Sequence, residues 1–350
     1  MNNRLSEKIK IKSSNINILR FICAIAVIIC HSYAVTAGEE DFVSRYTGGQ
    51  CNLGGVAVAV FFFLSGLYVS KSLDRTDSAW TFMKKRCDRI FPSLWTVVIL
   101  SVILGAAIST LPLTQYLTDK GTYLYLLNGA LIPIHDLPGV FEGLPYRTVN
   151  GPLWTMPVEF ACYIGLAAIM LLAGWMMKDK KNRKRFEIAA TAALFIVFLF
   201  AQYKMPESMV VSVARAMVIF FEGVLYYEYR EKIRLNPAAA GAALAAVILL
   251  GMTPVFNIGL ILLFPYAVTG LALGLPQMKR DLKLFSISYE MYLVGWPIQQ
   301  VVMKYGRKMS PTANWLITLP FDILIGWAVY KAVEWMTAKV KKHKEKAESK

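Results

Sequence analysis

The chain has 350 residues, 56% of them hydrophobic and 17% charged, with a formal net charge of +15. Its length would allow two or three soluble domains, but apolar runs of bilayer-spanning length recur between short polar or basic loops, which excludes an ordinary soluble fold. The basic residues gather in alternate loops and form no single basic face, so the charge does not point to nucleic acid.

The first twelve residues carry Arg4, Lys8, Lys10 and Lys12. They lead into a long apolar run without a small-residue cleavage site, so a removed signal peptide is not expected. Windows of about 20 apolar residues predict ten spans, at 16–36, 53–71, 90–111, 153–177, 187–203, 208–229, 237–253, 255–275, 285–304 and 313–337. Pro254 divides the seventh from the eighth. Residues 123–134 are apolar but too few to cross, and read as an interfacial or re-entrant piece. Loops on one side hold 28 Lys and Arg, those on the other 7. The positive-inside rule then puts both termini in the cytoplasm, which agrees with an even number of spans. The expectation is an all-α polytopic integral membrane protein, with one transmembrane domain over 1–340 and a basic cytoplasmic tail at 341–350 that fixes orientation and touches anionic lipid. Of the five cysteines, Cys23, Cys30 and Cys162 fall in spans, Cys87 in a basic loop and Cys51 on the far side. That distribution speaks against a disulfide framework and for packing.

Polar residues inside the spans are the unusual feature. Arg20 and His31 stand eleven positions apart in the first one, "LRFICAIAVIICH". On a helix eleven residues rise about 16–17 Å and turn three revolutions plus roughly 20°, so the two share a stripe. Intramembrane ionisable residues usually face the protein interior and mark a site. The plainer alternative has Arg20 snorkelling to headgroups and His31 packing. Gly54, Gly55, Ser65 and Gly66 in the second span are small residues that permit close helix approach. Arg86 and Arg89, three apart in "FMKKRCDRIFPSLW", would share one helix face at the membrane entrance. They either grip phosphate with forked hydrogen bonds or serve topology alone. In "NGPLWTMPVEFACYIG" Glu159 sits in an apolar run. A lone buried carboxylate needs a partner or a proton. It could pair with Arg215, orient an imidazole or accept a proton. Glu222, Glu290 and Asp322 raise the same question.

Five segments in this order carry a family likeness: Arg20 followed by His31, "FFFLSGLYVS", "RCDRIFPSLW", "NGPLWTMPVEF" and "ISYEMYLVGWPIQQ". Together, over about residues 15–336, they resemble acyltransferase family 3, membrane-bound and mostly bacterial enzymes that move acyl groups, commonly acetyl, from acyl-CoA to carbohydrate hydroxyls. The resemblance implies that His31 is catalytic and that Glu159 fills the family's acidic position. It implies that Arg20, Arg86 and Arg89 hold the phosphates of coenzyme A, and that Ser65 and Gly66 form the "SG" motif. Two positions depart from the pattern. Gly295 stands where many relatives have His, and Met336 replaces the proline that follows the acidic residue of the last span, here Glu334.

The expected activity is transfer of acetyl from cytoplasmic acetyl-CoA to a cell-surface or lipid-linked carbohydrate, such as an exopolysaccharide or O-antigen. The setting is the bacterial inner membrane, with lipid as a partner and neither metal nor nucleic acid required. His31 would act as general base or as acyl-carrying nucleophile, and the sequence leaves both open. A buried Glu159 nearby would orient and stabilise the imidazole. The loop 112–152, with His135, Asp136 and Glu142, is either the acceptor contact or a wet surface. A transporter or flippase of a glycan or lipid-linked substrate is the rival class, since buried charge along a pathway suits it too.

Overall fold

The computed structural model describes residues 3–10, 13–37, 40–76, 78–177, 180–278, 282–306 and 308–348. Among them regular structure is helical, apart from one isolated bridge between Arg4 and Arg234. The principal helices are α1 (Ser14–Ala37), α2 (Leu53–Leu73), α3 (Ala79–Ile108), α4 (Thr155–Met177), α5 (Lys180–Lys204) and α6 (Met209–Glu228). They continue with α7 (Pro237–Leu250), α8 (Phe256–Leu262), α9 (Phe264–Gly274), α10 (Ser288–Gly306) and α11 (Pro311–Glu348).

Local chemistry starts several of these helices. Asn52 caps α2 by accepting from the Gly55 N–H at 2.7 Å. Ser208 caps α6, and Asn236 caps α7 ahead of a proline in its first turn. Such side chains satisfy amide donors that the helix itself leaves open. α3 begins at Ala79, well before the expected limit of 90, because Lys84, Lys85 and Arg86 are good helix formers. The basic segment is therefore helical and not a loop.

Among the described residues, seven helices are long and apolar enough to cross a membrane: six lie at α1 to α6 and one at α11. The α8–α9 pair, bent by 42° at its break, makes an eighth if it counts as one span. This is an integral membrane protein. Two of the ten expected spans fall short of that standard. α7 has 14 residues, about 21 Å of rise against a hydrocarbon core of about 30 Å. α10 is long enough but carries Glu290, Gln299, Gln300 and Lys304. Residues 123–134 do not span; there a five-residue helix gives way to a 3₁₀ turn, Tyr125–Ala130.

The chain divides into two compact units. The first comprises Met1–Cys30, Glu40–Arg86 and Thr155–Phe285. Its most extensive helix contact joins α2 to α6. A Cβ on Gly66 would run into the Phe220 carbonyl oxygen, and one on Gly223 into that of Phe63. Only glycine lets these two backbones touch, the small-residue mode of membrane helix association. At one end of the pair, Arg183 ties Glu228, Asp74 at 3.1 Å and Glu187 at 3.3 Å into an ion network.

The second unit comprises His31–Glu39, Cys87–Trp154 and Ser286–Lys350. Its frame is the α10–α11 pair. Gln299 donates to Asn314 across that interface at 3.1 Å, and both are fully buried. The five cysteines are all free, and four are buried, as the packing reading requires.

Candidate active site

In the first unit, one face of α2 gathers most of the expected site. Ser65, Tyr68 and Ser72 follow at intervals of three and four, so they lie on one side of the helix. Ser65 Oγ donates to Glu159 Oε1 at 2.8 Å and lies 2.9 Å from the Tyr163 hydroxyl. Tyr163 also donates to Glu159 Oε1. Glu159 and Tyr163 are one turn apart on α4, which aims both at Ser65. Two hydroxyls thus hold one carboxylate oxygen.

Arg215 takes no part in this cluster. It donates to the Gln50 carbonyl at 3.0 Å and to Asn257 Oδ1 at 2.8 Å. Of the partners open to Glu159, the structural pairing with Arg215 is therefore replaced by Ser65 and Tyr163. The packing role expected of Gly66 holds, while Ser65 beside it is a hydrogen-bonding residue.

Farther along the same α2 face, the Arg20 guanidinium sits 5.9 Å from the centre of the Tyr68 ring. Lys71 Nζ lies at the same 5.9 Å from that ring and donates to the Ile9 carbonyl at 2.6 Å. Arg20, Lys71 and Lys10 line a cavity of about 280 Å³ together with Ser13, Asn17 and Tyr68. Three cations and three neutral hydrogen-bonding groups suit a polyanion. Arg20 faces the protein here, so snorkelling to lipid does not describe it.

Arg86 donates to Ser72 Oγ at 3.2 Å and lies over the rings of Phe82, at 5.7 Å, and Tyr163, at 5.9 Å. It is half-buried, whereas Arg89 is exposed. The two arginines share α3, but the boundary between the compact units passes between them. Glu290, on α10, accepts from Ser93 Oγ at 2.9 Å.

His31 belongs to the second unit. Its ring meets Trp296 edge-on, with centroids 5.0 Å apart and planes at 77°. One turn on, Val35 packs with Trp296 and Met303 in a buried cluster that Ala34 also touches. His31 therefore shares the inward face of its helix, and α1 runs unbroken from Ser14 to Ala37. Trp296 is fixed in turn, since its Nε1 donates to the Thr148 carbonyl at 2.9 Å.

Tyr68, Ser72, Tyr163 and Trp296 escaped the sequence reading. A signal existed for the first two in the 65–68–72 spacing of "SGLYVSKS", and for Tyr163 in its four-residue interval from Glu159. Trp296 lies inside the "VGWPIQQ" segment but has no spacing that ties it to His31.

The helices able to cross a bilayer define a polytopic membrane protein. The chain belongs to acyltransferase family 3: the family model described as an acyltransferase domain matches residues 13–331. It is thus an acyltransferase. Among relatives, an O-acetyl transferase of Shigella phage Sf6 is 26% identical over 308 residues, covering 83% of this chain and 86% of that protein. The acyltransferase MdmB of Streptomyces mycarofaciens is 34% identical over 156 residues, covering 42% of this chain and 36% of its own. Nodulation protein 10 of Rhizobium leguminosarum bv. viciae is 31% identical over 147 residues, 39% of this chain and 37% of that one. No solved structure matches the chain.

Proposed function

We propose that the protein transfers an acyl group, most simply acetyl, from cytoplasmic acetyl-CoA to a hydroxyl of a cell-surface or lipid-linked carbohydrate. The observation that carries this reading is the cavity at Arg20, Lys10 and Lys71 on the helix that also bears His31. Coenzyme A is rich in phosphate, and guanidinium and ammonium groups are its natural ligands. Arg86 and Arg89 extend the cationic set along α3. An O-acetyl transferase among the relatives points to acetyl and to an oxygen acceptor.

His31 is the reacting group in this proposal. As a base, its imidazole takes the proton of the acceptor hydroxyl while that oxygen attacks the thioester carbonyl. The carbon–sulfur bond breaks, and the thiolate leaves and takes up the proton from the imidazolium. As a nucleophile, the ring nitrogen carries the acyl group between the two substrates. Trp296 sets the ring plane in either case. Glu159, held by Ser65 and Tyr163 through Oε1, fills the acidic position of the family's motif. Ten spans with both termini in the cytoplasm of a bacterial inner membrane complete the reading; the 28-to-7 distribution of Lys and Arg supports it.

The test is acetyl-CoA consumption by the purified protein in lipid nanodiscs, followed by thiol release, with ester formation on surface glycan read by mass spectrometry. Acetyl-CoA-dependent ester that vanishes in His31→Ala is the expected result. Ester formation undiminished in that variant would remove His31 from the chemistry.

A further inference from the structure

We infer that the segment between α3 and α4 holds the acceptor: a cavity walled by Asp136, Glu142 and Arg147 receives a neutral, hydroxyl-rich sugar ring. This deepens the proposed function and rests on it for the identity of the acceptor. The cavity measures about 280 Å³ and lies wholly within the second unit, with Gly121, Pro138 and Gly139 completing its wall. That volume is near the small end of ligand sites, about 300–1,000 Å³, and suits one ring better than an extended chain.

Its chemistry is that of hydroxyl recognition. All three charged side chains are exposed, and no ion pair joins them among the described residues. A carboxylate only accepts and a guanidinium only donates, while a sugar hydroxyl does both. Glu142 has one oxygen engaged by Thr110 Oγ1 at 3.2 Å. Asp136, the second oxygen of Glu142 and the Arg147 fork are the groups offered to a ligand. Two carboxylates against one guanidinium leave the wall net negative, which disfavours an acidic sugar.

The wall is built, not loose. Ser109 Oγ donates to the Pro138 carbonyl at 2.8 Å, the Thr110 N–H to that of Gly139 at 2.9 Å, and the Val149 N–H to that of His135 at 2.7 Å. Gly139 has φ +68°, and a Cβ there would meet Ser109 Oγ and Thr110 Oγ1. Buried Phe141 keeps a left-handed φ of 57°, a conformation its surroundings must impose.

The same segment reaches the frame of His31. Arg147 stands between Tyr146 and Thr148, and both neighbours are clamped to α10. Gln300 Nε2 donates to the carbonyls of Tyr146 at 2.8 Å and Thr148 at 3.0 Å. The Tyr146 ring packs edge-on against Trp296, the residue that also holds His31. One wall of the cavity and the reacting imidazole are thus fixed to one helix.

Saturation-transfer NMR on the full chain in nanodiscs tests this, with methyl α-glucopyranoside as the neutral probe and methyl glucuronide as the acidic one. Saturation should reach the ring protons of the neutral glycoside and fall at least fivefold in the Asp136→Asn/Glu142→Gln double variant. It should stay unchanged in Glu334→Gln, on α11, with circular dichroism confirming that all variants fold. Absence of a signal in the natural protein, equal signals in the double variant, or equal binding of the acidic glycoside would overturn the assignment. Acetyl transfer to glycan is measured on the same samples. Transfer indifferent to both substitutions removes the site and spares the activity; loop-dependent sugar binding without transfer does the reverse.

Discussion

A histidine in an apolar helix earns attention through its neighbours. His31 meets Trp296 and a buried cluster, so its ring plane is set by packing. General acid–base groups typically contribute 10²–10⁴-fold, and His31→Ala is expected to lower acyl transfer by at least about 100-fold while the variant still elutes as a folded protein in size-exclusion chromatography. Trp296→Ala should act differently. It removes the edge contact and the bond to Thr148, so kcat should fall with little change in the acetyl-CoA KM; a KM rise alone would refute the positioning role. The arginines separate by burial. Arg86 is held by Ser72 and flanked by Tyr163, whereas Arg89 is exposed. A hydrogen bond to a charged group contributes about 1.5–3 kcal/mol, so Arg86→Ala should raise the acetyl-CoA KM by about tenfold or more. Arg89→Ala, more screened by solvent, should raise it less. Equal KM values in both variants and the natural protein would argue against a phosphate clamp.

At the scale of elements, α2 organises the first unit. One of its faces places Ser65, Tyr68 and Ser72 against Glu159, Arg20 and Arg86, and Gly66 lets α6 approach. Placing methyl groups into such a contact typically costs about 1–3 kcal/mol. Gly66→Val and Gly223→Val add more than one carbon each at a backbone crossing. Both should lower the melting temperature and the yield of folded protein in detergent, by more than Gly241→Val, where a Cβ meets nothing within 4 Å. Identical melting curves for the three would mean that the α2–α6 crossing is not the stabilising contact.

The whole molecule poses the question of crossings. Among the described residues, seven or eight helices meet the length and apolarity needed to span a bilayer, and the proposed ten include α7 and α10. α10 is polar and largely buried, as a segment shielded from lipid by neighbouring protein would be, whereas α7 is short and buries only Ala240 and Val247. The proposed topology predicts that a cysteine introduced at Lys342 reacts with a membrane-impermeant maleimide only after the cells are opened. One at Glu142 should react in intact cells, with the five native cysteines replaced by alanine in both proteins. Labelling of both positions from the same side would break the ten-span topology.

Membrane character and the place of nearly every helix were legible in the sequence, because hydropathy and the 3.6-residue period act locally. So was the family, through five short segments in register. Helix quality across the bilayer was less so: the burial of the polar side chains of α10 and the 42° bend between α8 and α9 appear only in the folded chain. The partners of Glu159 and His31 were set by tertiary structure alone. Ser65 lies 94 positions from Glu159 and Trp296 lies 265 from His31, and no periodicity along a chain reaches that far. Which hydroxyl, ring or glycine stands opposite a charged group is a matter of how helices cross, and that depends on many contacts made at once.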